Sequence, residues 1–372
     1  GLGDVYKRQV CIIAKNEEKY IEKCMQCLSD KEVQIVVADT GSTDKTKEIA
    51  KKYTEFVYDF KWIDDFGAAK QFAVSKASND NILILDCDEY LQSDKTVLEK
   101  LNSMLENEPR RAGRIKCINV LEDDSKNTDW ITRAFNRKYY KVEGKIHEQI
   151  VKADGKPADM FLSAVVIKHV GYALNDDEKK KKALRNIKLL KKRLAELEKN
   201  FDSGITQNNE KEIPYIYYQL GKSYYMEKDY NNACDFFSKG LSFDLEPELE
   251  YVIDMVETYG YAMLNSGKVQ EALSYTSLYD VFGNSADFKF LMGLIYMKNA
   301  MFDEAINEFQ KAAEYKESRV EGANSYLAYY NIGVIYECLG NIGIAQEYYK
   351  KCNGYSKAVE RLKSGCIRNG FL

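Results

Sequence analysis

The sequence predicts two architectures in one chain: an α/β domain on a mostly parallel, Rossmann-like sheet, then an all-α repeat solenoid. Up to residue 175, short apolar runs alternate with segments of helical period, the rhythm of strands joined by crossover helices. From Asp176 the period is 3.6 throughout, and small and aromatic residues recur at fixed offsets. The size agrees, since 372 residues exceed one ordinary domain.

The elements follow in order. Val10–Ala14 is a short apolar strand, and Glu17 to Leu28 has the helical pattern. Val33–Ala38 is a buried strand ending at Asp39, and Thr40 to Asp44 is a turn and cap for a helix through Tyr53. Glu55–Tyr58 is a third strand, Phe66–Ala77 a helix, and Asn81–Leu85 a fourth strand running into Asp86-Cys87-Asp88-Glu89. Ligands of such sheets lie beyond the carboxyl ends of the strands, where Asn16, Asp39 and Asp86 to Asp88 fall. The first nine residues, Gly-Leu-Gly-Asp-Val-Tyr-Lys-Arg-Gln, read as the in-frame translation of a sequencing adapter and are set aside as a scar, so the domain is expected to span 10–175.

In the helical part, Leu184, Ile187, Leu190, Leu194 and Leu197 share one face of a connecting helix, and the polar stretch 202–212 reads as a linker, making 176–212 a connector. Gly221, Gly260, Gly293 and Gly333 are each followed twelve residues on by Ala233, Ala272, Ala305 and Ala345. Sixteen residues after each glycine stand Phe237, Thr276, Phe309 and Tyr349. Small residues at fixed offsets let antiparallel helices approach, and bulky ones fill between them. This resembles tetratricopeptide repeats, four of them over 213–356, the second the most degenerate, before a tail at 357–372.

Charge and composition exclude several classes. The net charge is −4, with 28 basic and 29 acidic side chains in residues 1–175 and 26 and 29 after, so neither part is a polybasic nucleic-acid or membrane binder. Apolar runs such as Ile82–Leu85 are far below the ~18 residues of a membrane span. The nine cysteines are scattered, and Cys24-Met-Gln-Cys27 is a lone pair on a helix, so the cytosol is the expected location, with peripheral attachment to the inner membrane face allowed. Two histidines exclude a multi-histidine metal site, and the Lys, Tyr and Asn content points to an AT-rich bacterial genome. Neither a P-loop nor a GxGxxG fingerprint is present.

The acidic groups at the strand ends carry the chemistry. Glu17, Asp39, Asp86 and Asp88 converging on one rim would repel each other, and a hard cation such as Mn²⁺ or Mg²⁺ with phosphate ligands would relieve this. An Asp at a strand end is also an ordinary cap or turn former, a reading that serves Asp39 better than Asp86-x-Asp88.

Val10 to Glu18, Val36 to Asp44, Trp62 to Phe66 and Ile84 to Glu89 stand in an order and spacing that resembles the GT-A-fold inverting glycosyltransferases of family 2, over about 10–175. The resemblance implies a nucleotide-sugar donor, usually UDP-linked, with Ala14, Lys15 and Glu17 edging base and ribose and Asp39 bonding the base. It implies Asp86, with Cys87 beside it, facing ribose and metal, and Asp88 ligating the metal that bridges the diphosphate. The family often has Ala-Arg-Asn where Ala69-Lys70-Gln71 stands, so Lys70 is either a weaker phosphate contact or a solvated helix lysine.

A second patch, Thr132 to Phe135, Val142 to Glu148 and Ile167 to Tyr172, resembles a branch of that family. An inverting transfer needs a base for the acceptor's proton, a role worth about 10²–10⁴-fold in rate. Glu148 is the expected base, with Asp123 and Asp124 as competitors. His147 is expected to complete the metal shell or hold the diphosphate, and His169 is read as a buried structural histidine or a catalytic one. The expected function is metal-dependent sugar transfer to a peptide, protein or glycan acceptor held partly by the repeats, which are also open to a protein partner. The rival readings are a non-catalytic repeat scaffold with a degenerate transferase domain, and a nucleotidyltransferase, whose usual glycine-rich phosphate loop is missing.

Overall fold

The computed structural model describes residues 8–120, 126–154, 156, 158–171, 176–202 and 209–368. The chain divides into two compact units, Gly1–Asp176 and Asp177–Leu372. In the first, β1 (Gln9–Ala14), β2 (Gln34–Asp39), β3 (Val57–Asp59) and β4 (Asn81–Asp86) are parallel, in spatial order β3-β2-β1-β4. Helices α1 (Ile21–Gln26), α2 (Thr46–Ala50) and α3 (Phe66–Ser75) lie in the connections between them. β1 is an inner strand covered on both faces, so it is apolar nearly throughout rather than alternating. Val10 and Ile12 belong to one core and Cys11 to the other.

After β5 (Glu89–Leu91) and α4 (Lys95–Asn107), the strands β6 (Arg111–Val120), β7 (Lys126–Asn136) and β10 (Asp159–His169) extend the sheet to eight strands, ordered β3-β2-β1-β4-β7-β6-β10-β5. β7 enters antiparallel between β4 and β6. β8 (Tyr140–Glu143) and β9 (Gln149–Lys152) form a separate hairpin whose loop is 144–148.

Several boundaries differ from expectation. Gln9, set aside with the first nine residues, is the first residue of β1, where its side chain accepts from the Ser78 N–H, and Arg8 donates to the Lys31 carbonyl. Residues 1–7 lie outside the described residues. Helix α1 starts at Ile21 rather than Glu17, because residues 15–18 form a loop with Asn16 at φ 56°. Helix α2 ends at Ala50 rather than Tyr53. The third strand begins at Val57, since the Thr54 hydroxyl donates to the Ile35 carbonyl and accepts from the Phe56 N–H, holding 54–56 as a turn.

The second unit is all-helical. It begins with α5 (Asp176–Asp202), α6 (Asn209–Met226), α7 (Tyr230–Leu241) and α8 (Glu250–Asn265). A 3₁₀ stretch (Glu271–Leu278) and α9 (Tyr279–Phe282) follow, then α10 (Ala286–Lys298) and α11 (Phe302–Ala313). The last helices are α12 (Tyr326–Cys338), α13 (Ile342–Lys351) and α14 (Ser356–Arg368). On α5, Ile187, Leu190 and Leu197 are buried as expected, but at the start of the face Ala183 is buried in place of Leu184, which is exposed. The predicted linker gives way to α6 at Asn209, where Arg193 of α5 donates a two-pronged bond to Glu212 at 2.8 Å on each prong. The predicted tail is helical as far as Arg368, with Ala358 buried and Arg361 bonded to Glu337 and Tyr330.

The repeat glycines are close-approach points. A Cβ on Gly293 would stand 2.6 Å from the Phe309 ring, and one on Gly221 2.4 Å from Phe237. All four predicted alanines are buried. In the second repeat the filling aromatic is Tyr275, not Thr276, because the second helix there is wound as 3₁₀ and shifts the offset by one.

Candidate active site

The loops after β1 and β2 are knitted together. Asn16 N–H donates to Ser42 Oγ at 3.0 Å, Thr43 N–H to Asn16 Oδ1 at 2.8 Å, and Glu17 N–H to Thr46 Oγ1 at 2.6 Å. Ala14, the last residue of β1, is buried, and its carbonyl accepts from Thr40 N–H. Lys15 is exposed, with its Nζ 5.9 Å from the centre of the Trp62 ring. Asp39 ends β2 almost fully buried, and its Oδ1 accepts from the N–H groups of Gly41 and Ser42 at 3.0 Å each. Its Oδ2 is buried with no hydrogen-bond partner among the described residues. An unmatched buried carboxylate oxygen suits an N–H of an incoming base.

At the end of β4 the expected repulsion between carboxylates does not arise at Asp86. Lys70 Nζ lies 2.8 Å from its Oδ1 and Arg133 Nη2 2.9 Å from its Oδ2. Arg133 continues to Glu89 Oε1 at 2.6 Å, and Glu89 Oε2 accepts from the Asp86 N–H. Burial works to raise the Asp86 carboxyl, but Lys70 and Arg133 outweigh it and hold the group well below the usual carboxylate range. Glu89 is more deeply buried, and burial raises it despite Arg133. Lys70 is therefore not a solvated helix lysine: it is 3% exposed, and the paired carboxylates raise its ammonium against the opposing effect of burial.

Asp88 has a different environment. His169, at the end of β10, places Nε2 3.4 Å from Asp88 Oδ2 and Nδ1 2.8 Å from Asn119 Oδ1. The Asn119 amide donates to Asn127 and Asp129, which assigns its oxygen to the imidazole as acceptor. In the neutral ring Nδ1 then carries the hydrogen and Nε2 presents its lone pair towards Asp88. Gly171 leaves the space, since a Cβ there would lie 2.0 Å from Asp88 Oδ2 and 2.6 Å from His169 Nε2. A carboxylate oxygen and an imidazole nitrogen at this separation fit two ligands of a divalent cation whose other ligands come from substrate and water. Among the described residues no group of three or more His, Cys, Asp or Glu side chains could hold a metal unaided.

Cys87 lies between these aspartates with its thiol turned back into the sheet, donating to the Ile13 carbonyl at 3.4 Å, and burial pushes that thiol well up. What it can offer a ligand is backbone.

Glu148 closes the hairpin loop, and its Oε1 lies 2.6 Å from Lys70 Nζ. The loop is strapped to the start of α3: Phe66 N–H donates to the Lys145 carbonyl and Gly67 N–H to that of Gly144. A Cβ on Gly67 would stand 2.7 Å from that Gly144 oxygen. Gln71, the other departure from the Ala-Arg-Asn pattern, accepts from the Val142 N–H and fastens β8 to α3. His147 precedes Glu148 in the left-handed region, at φ 53°. The histidine placed beside Asp88 is His169, for which the sequence reading put a structural role ahead of a catalytic one, and not His147, to which it gave the metal shell. Asp123, Asp124 and Tyr172 lie outside the described residues.

Residues 9–164 match the Glycosyl transferase family 2 model. The N-terminal unit is a family 2 glycosyltransferase domain. Residues 214–247, 286–319 and 326–358 match the tetratricopeptide repeat model and correspond to the first, third and fourth repeats of the transferase's helical unit. Over 91% of its length the transferase is 22% identical to a TPR repeat-containing protein of Synechococcus elongatus, covering 73% of that protein. Over 49% of its length it is 30% identical to the SPbeta prophage-derived glycosyltransferase SunS of Bacillus subtilis, spanning 44% of that relative. Among solved structures, YrrB, described as a TPR protein with an unusual peptide-binding site, is 23% identical with a TM-score of 0.36, over 50% of this chain and 95% of that one. Among the described residues no helix is long and apolar enough to cross a membrane.

Arg133 and Glu89 escaped the sequence reading of the site. Arg133 stands in the Thr132 to Phe135 segment already singled out, and the unused signal was a charged residue beside the apolar pair Ala134-Phe135.

Proposed function

We propose that the transferase domain moves a sugar, with inversion, from a nucleoside diphosphate donor, usually uridine in this family, to an acceptor hydroxyl or thiol. The observation that carries the reading is the pair Asp88 and His169, set 3.4 Å apart over Gly171 at the strand ends. A divalent cation, Mn²⁺ or Mg²⁺, bound by these two side chains would supply Lewis-acid stabilisation of the departing diphosphate. Asp39 receives the base through Oδ2, while Ala14, Lys15 and Glu17 border base and ribose. Asp86, fixed by Lys70 and Arg133, faces the ribose, and the two cations lie close to where the diphosphate's charge develops. Glu148 takes the acceptor's proton as it attacks the anomeric carbon. The acceptor is a peptide, a protein or a glycan precursor, held partly by the repeats.

The scaffold reading gains nothing from Lys70-Gln71, since both residues have defined partners in the site. The testing experiment is thermal unfolding with UDP, GDP, CDP or dTDP, each with and without Mn²⁺. Ligand at a hundredfold excess over Kd adds about 2.7 kcal/mol of stability to the native state. The expected result is a metal-dependent shift with one nucleotide, UDP first, and the absence of any shift would overturn the donor site.

A further inference from the structure

Lys70 joins the donor half of the site to the acceptor half, and we infer that it couples donor binding to the release of Glu148. The inference rests on the transferase reading above and adds a role which that reading does not contain. Lys70 Nζ lies 2.8 Å from Asp86 Oδ1 and 2.6 Å from Glu148 Oε1, and its side chain is 4% exposed. One ammonium is thus shared by two carboxylates that belong to different substrates' subsites.

The sharing is built in by the backbone. Asp86 is fixed at the end of β4, with Arg133 on its other oxygen. Glu148 is fixed by the hairpin loop, which the start of α3 grips through the Phe66 and Gly67 N–H groups. Lys70 stands one turn along the same helix from Gly67, so grip and ion pair lie on one face. Without donor, Glu148 is ion-paired and its Oε1 is already committed to Lys70. A diphosphate arriving beside Asp86 is a third anion competing for the same ammonium. As Lys70 swings to it, the bond to Glu148 weakens and that oxygen becomes available for the acceptor's proton. The order of events is then donor first, base second, which restrains Glu148 until a sugar is present.

Coupling is reciprocal: whatever loosens Lys70 from Glu148 must tighten the diphosphate by the same factor. The test is calorimetric titration of UDP with Mn²⁺ into the full chain, as wild type, Glu148→Gln, Lys70→Met and the double variant. Glu148→Gln is expected to tighten UDP about fivefold or more. Lys70→Met is expected to weaken UDP, and in that background Glu148→Gln is expected to change affinity by less than about twofold. Unchanged affinity in Glu148→Gln overturns the coupling. Equal tightening with and without Lys70 also overturns it, since that is simple removal of a negative charge. Where Lys70→Met does not fold, Lys70→Gln, which keeps a neutral donor, carries the same expectations. Wild-type protein that binds none of the four nucleoside diphosphates removes the donor site and this role together, whereas wild-type binding without the coupling removes this role alone.

Discussion

At the strand ends of the transferase domain, Lys70, Arg133, Asp86 and Glu89 form a chain of ion pairs, and in the helical unit Lys222, Arg319 and Asp254 form another, with Glu257 3.4 Å from Arg319. The residue types match, but the surroundings do not. The Asp86 side chain is 34% exposed, whereas that of Asp254 is 11% exposed and also accepts from the Tyr218 hydroxyl. A parallel sheet ends with its strands' carboxyl termini facing outward, so charges placed there stay open to a ligand. A repeat helix has neighbours on both sides, and the turn carrying Arg319 is held down by the N–H groups of Arg319 and Val320 donating to Asp287. The first cluster stays open at the strand ends, and the second pins one repeat to the next.

The largest expected effect separates chemistry from fold. Asp88→Asn should lower metal-stimulated donor turnover at least about 10²-fold, the scale of losing several kcal/mol of Lewis-acid stabilisation. Its unfolding midpoint should stay close to wild type, and wild-type turnover in a steady-state assay would remove Asp88 from the site.

The second break point is titration of the closed cluster. Burial pushes Glu257 up to about 8, with Asp287 and Asp254 adding to the rise and Arg319 and Lys222 opposing it. Its unfolded value is about 4.3, so the folded chain binds the extra proton between the two. The stability this supplies is fully present below the unfolded value and is lost as pH rises through the folded one. Glu257→Gln should therefore exceed wild type by up to a few kcal/mol at pH about 8.5, and by much less at pH about 5. Urea unfolding at the two pH values measures this, and equal pH dependence in both proteins would contradict a buried, protonated Glu257.

Smaller effects sharpen the division. Gly293→Ala overpacks the Phe309 contact, at a cost of about 1–3 kcal/mol, of which alanine's helix propensity returns up to about 1. Differential scanning calorimetry should show the helical unit melting earlier, while UDP affinity is unchanged. Asp65 caps α3 by accepting from Ala68 N–H, and Asp229 caps α7 by accepting from Asn232 N–H. Each Asp→Ala change should cost about 1 kcal/mol, but only the one at Asp65 should also reduce donor turnover, because α3 carries Lys70. Equal turnover in both would detach Lys70's position from the cap.

Legibility differed along the same line. The order of strands and helices was readable because burial on both faces demands apolar runs, and the repeat offsets were readable because close helix contact demands glycine and alanine at fixed positions. The candidate donor residues were readable because strand ends followed by turns concentrate Asp. Boundaries slipped where side chains took over the backbone's hydrogen bonding, as at Thr54 and Asn16. Tyr275 was misplaced by one residue because local periodicity assumes α geometry, and the chain there is 3₁₀.

By itself, the sequence determined the two-part architecture, the repeats, and the placement of Asp39, Asp86 and Asp88 at strand ends, all consequences of local period and composition. The tertiary structure decided what those groups meet. Leu83 pairs with Ala134, fifty-one residues on, and this antiparallel register brings Arg133 beside Asp86. β10 returns His169 and Gly171 to Asp88, and the hairpin loop's seat on α3 gives Glu148 to Lys70. These contacts depend on long-range register, which local propensity does not encode, so the acids were legible in the sequence and their partners were not.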